Sequence, residues 1–214
     1  MTRPRPVPPP IYPIADRERA VGELAAAGAG WIQIRAKQAG DRRLYDLVEA
    51  SCRVAARHGT RIWVNDRPDL AALLPVAGVH LGQDDLPPHA ARAVVGPGVW
   101  IGASTHDAEQ VRRAAEDEDV DVVAVGPVFA TRSKAAPDPV VGLELLERAR
   151  GWTDKPLVAI GGIDEGNVAR VLAAGADCAA VIGAVSRSPV GERLRALERA
   201  AAGGQNGRER GGTR

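Results

Sequence analysis

The chain has 214 residues, of which 45% are hydrophobic and 26% charged, and a formal net charge of +1. That length allows one barrel or one doubly wound domain and excludes two large ones. A near-neutral balance excludes the concentrated basic face of a nucleic-acid binder, and no run approaches the ~18 apolar residues of a membrane span. Any anion site must therefore be local. The apolar set is mostly Ala, Val, Leu and Ile, which suits an α/β chain. Cys52 and Cys178 lie far apart, show no metal-ligand spacing, and read as core thiols of a reducing compartment. The first ten residues hold no apolar signal core, which points to the cytoplasm.

Residues 1–10 read as a Pro-rich arm and residues 203–214 as a flexible Gly- and charge-rich tail. Between them, over residues 11–202, strands alternate with helices. The strands are short and rich in Val and Ile: Ile11–Ala15, Trp31–Ala36, Arg61–Asn65, Gly78–Leu81, Trp100–Ser104, Val120–Val125, Pro156–Ile160 and Cys178–Gly183. Helical spacing shows in Leu44, Leu47, Val48, Cys52 and Ala55, and again in Val168, Val171 and Leu172. Gly28, Gly59 and Gly175 sit where helix C-caps belong, and Asp164 and Ser188 where N-caps belong. Eight strand–helix units imply a parallel sheet closed as a single-domain (β/α)8 TIM barrel. An open doubly wound sheet is the alternative, and the lack of a GxGxxG turn after the first strand counts against it.

A strand covered on both faces should be apolar throughout. The second strand is not. Gln33, Arg35 and Lys37 alternate with Ile32, Ile34 and Ala36, so one face is polar and is expected to point into the barrel and toward its mouth. Such cations are costly to desolvate unless an anion or a ladder of acidic neighbours compensates. Asn65-Asp66 ends the third strand, and Gln83-Asp84-Asp85 follows the fourth. Asp66 and Asp85 at adjacent strand ends suit a shared Mg2+, while Asp84 suits a helix start. Ser104 can donate to a phosphate oxygen. His106 suits a helix start better than a general base, and His80 an interior hydrogen bond. The long stretch after the sixth strand carries Thr131, Ser133 and Lys134, two hydroxyls and a cation fit to clamp phosphate. Gly161-Gly162 and Ile182-Gly183 end the last two strands, where barrels often hold phosphate on backbone N–H groups. Two anion sites on one rim suit the joining of a diphosphate-bearing molecule to a monophosphate-bearing one.

These residues resemble the thiamine-phosphate synthase family from about Ile11 to Val185. The strings that carry the resemblance are QIRAK at Gln33–Lys37, VNDR at Val64–Arg67, GVHLGQDDL at Gly78–Leu86, IGASTH at Ile101–His106, GPVFATRSK at Gly126–Lys134 and AIGGI at Ala159–Ile163. The resemblance implies coupling of 4-amino-2-methyl-5-pyrimidinylmethyl diphosphate with a thiazole (or carboxythiazole) phosphate. Thiamine phosphate and diphosphate leave through a dissociative cation mechanism. By the same resemblance Gln33, Arg35, Lys37, Asn65, Ser104 and Lys134 hold the pyrimidine diphosphate, with Arg35, Lys37, Ser104 and Lys134 assisting its departure. Asp66 and Asp85 bind Mg2+, and Thr131, Ser133, Gly162, Ile182 and Gly183 hold the thiazole phosphate. The partners expected are these small molecules, with a homo-oligomer left open.

The chain also departs from the family pattern. Its first connection, Asp16-Arg17-Glu18-Arg19, is short. Ala15 and Ala36 replace the commoner Thr and Glu, Gly183 replaces Ser, and Ser133 replaces Thr. A thiazole tautomerase of the same superfamily is an alternative, but it uses a His where Pro127 stands here. A non-catalytic phosphate-binding barrel is another. A phosphosugar isomerase needs an acid–base pair, for which only His106 and Asp107 offer themselves.

Overall fold

The computed structural model describes residues 5–131, 133, 138–187 and 189–205. In chain order it holds β1 (Ile11–Ala15), α1 (Glu18–Ala26), β2 (Trp31–Ile34), α2 (Asp41–Ala56), β3 (Arg61–Asn65), α3 (Pro68–Leu73), β4 (Gly78–Leu81) and α4 (Pro88–Val95). Then follow β5 (Trp100–Thr105), α5 (Ala108–Glu116), β6 (Val122–Val125), α6 (Gly142–Arg150), β7 (Leu157–Ile160), α7 (Val168–Ala173), β8 (Cys178–Val181), a 3-10 turn (Gly183–Val185) and α8 (Val190–Gln205). The strands pair in parallel in sequence order, and β8 closes on β1. This is the (β/α)8 barrel expected from the alternation. No helix among the described residues is long and apolar enough to cross a membrane.

Strand side chains alternate between two cores. Outward-facing Ile32, Ile34, Val64, Val79, Ile101, Val123, Val125 and Leu157 meet the helices, against Leu24, Val48 and Cys52 among others. Inward-facing Tyr12, Ile14, Trp31, Trp63, Val122, Ala124, Val158, Cys178 and Ala180 fill the barrel. The filling is lopsided. Trp31 and Trp63 pack 4.9 Å apart, Trp63 and Trp100 stack at 6.2 Å, and Tyr12 meets Trp31 edge-on at 5.5 Å. β6–β8 contribute no aromatic ring to it, only Val122, Ala124, Val158, Cys178 and Ala180, with Ile160 and Ile182 packed alongside. Gly78 makes room for this cluster, since a Cβ there would lie 2.4 Å from the Trp63 ring. Both cysteines are free and buried.

Several boundaries shift. The ladder of β2 stops at Ile34 rather than Ala36, and that of β8 at Val181 rather than Gly183. In both places the chain turns away as it reaches the rim. β6 begins at Val122 and β7 at Leu157, each later than expected, while β5 runs on to Thr105. Asp164 does not cap α7. It accepts the Gly166 N–H in a turn, and Asn167 occupies the cap position. Ser188 lies outside the described residues. Gly28, Gly59 and Gly175 do follow helix ends with φ of 100°, 69° and 118°, the left-handed region that glycine enters without a Cβ penalty. Helix α8 continues to Gln205, past the expected start of the tail.

The N-terminal end of the barrel is tied by two matching ion pairs. Arg92 from α4 binds Asp121 at 2.8 Å, and Asp121 also accepts the Ile101 N–H at the start of β5. Arg150 from α6 binds Asp177 at 2.8 Å, and Asp177 likewise accepts the Leu157 N–H at the start of β7. Both arginines also donate to loop carbonyls, Arg92 to Gly96 and Val99, and Arg150 to Thr153 and Lys155.

Candidate active site

The C-terminal ends of the strands gather the polar residues of the sequence motifs. On the β2–β5 side, Gln33 is inward and buried, and its Nε2 donates to Tyr12 Oη at 3.2 Å. Burial raises the Tyr12 phenol well above its ordinary pKa, and the Gln33 contact partly offsets this. Arg35 and Lys37 do not continue an inward strand face, as their alternation with Ile34 and Ala36 suggests. Arg35 still donates its N–H to the Ala15 carbonyl at 2.9 Å, but β2 has ended and a turn follows. Both cations therefore stand on the rim, where water reaches them at lower cost than in the interior. Ala36 packs on the outer core, as expected.

Lys37 Nζ lies 3.2 Å from Asp66 Oδ2. Arg35 has no ion-pair partner among the described residues. Asp66 is the one non-glycine residue among those described with positive φ, at 64°, a conformation that aspartate tolerates better than most. Its N–H donates to the His80 carbonyl at 2.8 Å. The adjacent Arg67 forks onto Asp69 at 2.6 Å and reaches Asp41 at the start of α2 at 2.7 Å. These pairs tie the loops after β2 and β3 together and hold the Asp69 carboxyl below its ordinary range. Asp85 accepts the Gly82 N–H at 2.6 Å and comes within hydrogen-bond reach of Asp66. Desolvation pushes the Asp85 carboxyl up. The Gly82 N–H opposes this, the Asp66 carboxylate adds to it, and Lys37 lowers it.

Asn65 ends β3 in register with His80. His80 Nε2 lies 2.9 Å from Ser104 Oγ, the interior hydrogen bond expected of it. Burial lowers the His80 pKa to about 4, against the pull of the Asp66 charge, so the imidazole is neutral near pH 7. His106 Nδ1 lies 2.6 Å from the Gly126 carbonyl and its N–H donates to Gln110, while Asp107 caps α5. His106 Nε2 also lies 3.5 Å from Asp138 Oδ2, so the ring ties β5 to the loop after β6, while Asp107 serves as a helix cap.

On the β6–β8 side, Ser133 N–H donates to Thr131 Oγ1 at 3.2 Å, and a Cβ on Gly183 would lie 3.8 Å from Ser133 Oγ. The loop after β6 thus reaches the turn after β8. Ile182 packs against the barrel interior just before that turn. Lys134 lies outside the described residues. Gly161 and Gly162 have φ of 103° and 64°. A Cβ on Gly161 would meet Pro127 at 2.5 Å, and one on Gly162 would meet the Ala130 carbonyl at 2.5 Å. The loop itself, pressed against these residues, therefore demands glycine there. Close approach of a ligand, the reason read from the sequence, is not needed to explain it.

Three contacts are not legible in the motifs. Gln83 Nε2 donates to the Ser104 carbonyl at 2.5 Å, and Asn167 Nδ2 to the Gly162 carbonyl at 2.9 Å. The first connection is only Asp16-Arg17 before α1 begins, and Arg17 reaches the Ser186 carbonyl at 3.0 Å, bridging the mouth from β1 to β8. Only the shortness of that loop hinted at the last.

Fold and site together define a (β/α)8 barrel whose mouth carries a cation–carboxylate cluster on one side and a set of hydroxyls and glycines on the other. The family model described as thiamine monophosphate synthase matches residues 9–185, and the chain belongs to that family. A thiamine-phosphate synthase of Koribacter versatilis is 48% identical over 160 residues, 75% of each chain. One from Anaeromyxobacter dehalogenans is 45% identical over 175 residues, 81% of this chain and 75% of that one. The solved structure of thiamine phosphate pyrophosphorylase from Pyrococcus furiosus superposes with a TM-score of 0.82 at 32% identity, covering 90% of this chain and 95% of that one.

Proposed function

We propose that this chain is a thiamine-phosphate synthase. It joins the aminopyrimidinylmethyl diphosphate to a thiazole phosphate and releases diphosphate. The observation that carries the reading is the cluster on the β2–β4 rim, where Lys37 stands 3.2 Å from Asp66, Asp66 meets Asp85, and Arg35 has no acidic partner among the described residues.

The chemistry asks for that cluster. The C–O bond to diphosphate ionises, the amino group stabilises the pyrimidinylmethyl cation, and the thiazole nitrogen attacks. No protein nucleophile is required. The leaving group needs preorganised positive charge, and the two substrates need alignment. Arg35, Lys37 and Lys134 supply the charge in this reading. Ser104 and Asn65 supply hydrogen bonds, and Gln33 holds the pyrimidine. Thr131, Ser133 and the backbone at Gly162, Ile182 and Gly183 take the thiazole phosphate.

Mg2+ fits Asp66 and Asp85. Among the described residues no cluster of three or more His, Cys, Asp or Glu side chains gathers. A two-carboxylate site completed by phosphate oxygens and water is what Mg2+ prefers over an all-protein cage. When bound, the ion adds positive charge to the departing diphosphate. It would also offset the desolvation and the Asp66 charge that together raise Asp85.

The test is direct. Purified protein is mixed with both substrates and Mg2+, and thiamine phosphate and diphosphate are assayed with each component omitted in turn. The reading expects both products only in the complete mixture. Binding of both substrates without diphosphate release would point to a non-catalytic barrel. Lys134→Ala is expected to lower turnover about a hundredfold or more, the usual cost of a lost transition-state donor. Undiminished turnover would remove Lys134 from the chemistry.

A further inference from the structure

Strand β4 and the residues just after it touch Asp66, Asp85 and Ser104 on the diphosphate side of the mouth. The His80 carbonyl accepts the Asp66 N–H at 2.8 Å, and the Gly82 N–H holds Asp85 at 2.6 Å. Gln83 holds the Ser104 carbonyl at 2.5 Å, and the His80 ring meets the Ser104 hydroxyl at 2.9 Å. The last contact decides what Ser104 can do. A hydroxyl has one hydrogen. If His80 Nε2 accepts it, Ser104 turns only lone pairs toward the mouth, the wrong polarity for phosphate. If Nε2 donates, the Ser104 hydrogen is free for an anion. A charged phosphate oxygen is a stronger acceptor than an imidazole nitrogen, so diphosphate favours the second arrangement. The ring fits only because residue 102 has no side chain, since a Cβ there would lie 2.6 Å from His80 Nδ1.

On the reading of Ser104 given above, we infer that His80 is a positioning residue for diphosphate departure. Its Nε2–H donates to Ser104 Oγ and turns the Ser104 hydrogen toward the leaving group, in a slot that Gly102 keeps open. His80 acts through Ser104 alone. Its contribution therefore exists only while the serine is present.

Kinetics with both substrates and Mg2+ test this. His80→Leu removes the donor, whereas His80→Gln keeps an N–H at similar reach. His80→Leu is expected to lower kcat about ten- to hundredfold, the range for a lost charge-assisted hydrogen bond, with KM for the thiazole phosphate near wild type. His80→Gln should recover most of kcat, and His80→Leu should cost nothing further once Ser104→Ala is present. A full additional loss in the Ser104→Ala background overturns the inference, as does a His80→Gln enzyme as slow as His80→Leu. Either result leaves thiamine phosphate formation by the wild-type chain untouched. An undiminished Ser104→Ala enzyme removes both the role of Ser104 and the inference resting on it. Nitrogen NMR of the wild-type imidazole with inorganic diphosphate and Mg2+ needs no variant to fold. It should find the proton on Nε2, and a proton on Nδ1 with bare Nε2 overturns the inference.

Discussion

At the N-terminal end of the barrel, Arg92 and Arg150 each grip an aspartate at 2.8 Å, and each aspartate also holds a strand N–H. At the other end, Lys37 shares Asp66 with Asp85, and Arg35 has no acidic partner among the described residues. The same residue types thus serve opposite ends. Where each cation is matched by a carboxylate and by carbonyls, the arrangement is complete and stabilises loops. On the function proposed above, the cations and carboxylates left with open valence at the mouth take an anion and a metal. The difference teaches that pairing, rather than charge itself, separates the structural end from the reactive one. In barrels of this kind the C-terminal end carries the chemistry and the N-terminal end the stability.

Four substitutions test this contrast, in order of decreasing cost. Arg92→Ala removes the guanidinium paired with Asp121, whose side chain is only 10% exposed. Breaking such a pair costs about 3–5 kcal/mol, or roughly 6–20 °C in Tm for a chain of this size. Calorimetry should show the drop, while kcat measured well below the new Tm stays at the wild-type value. Lys37→Ala should do the reverse. Turnover is expected to fall with a barrier increase of about 2.7–4 kcal/mol, while Tm stays near wild type because Lys37 is half exposed. Gly78→Ala sets a methyl against the Trp63 ring, and overpacking of this kind costs about 1–3 kcal/mol, read by chemical denaturation.

Asp85 gives the smallest effect and a sign that can be checked. Its folded pKa is raised above the unfolded value by desolvation and by Asp66. The protonated form therefore favours the folded state. That stability is fully present below the unfolded carboxylate pKa and is lost as pH rises through the folded one. Without metal, Tm should fall across that window, and Asp85→Asn should flatten the fall. An identical pH profile in Asp85→Asn would place the strain elsewhere.

Much of this was legible in the sequence for physical reasons. Strands β1, β3 and β4 end where their apolar runs meet charged or turn residues. The charged rim was visible because Arg35 and Lys37 break the apolar rule of a covered strand. The strand itself is shorter than the alternation implies, ending at Ile34, because alternation in sequence says nothing about where a hydrogen-bond ladder stops. Gly161 and Gly162 were rightly marked as special, yet the cause lies in Pro127 and Ala130, which only the folded chain brings near. His80 reads as an interior hydrogen-bonding residue from its place in the strand, but its partner Ser104 lies on the neighbouring strand, and only Gly102 hints at the fit. Arg17 and Ser186 are 169 positions apart, so no local pattern pairs them.

The central claim is tested most directly by diphosphate release from Arg35→Ala with both substrates and Mg2+, measured beside its melting curve. Release is expected to slow about a hundredfold or more with Tm held near wild type, since the guanidinium has no ion pair to lose among the described residues. Release at the wild-type rate, or a slower enzyme whose Tm has fallen in proportion, would contradict it.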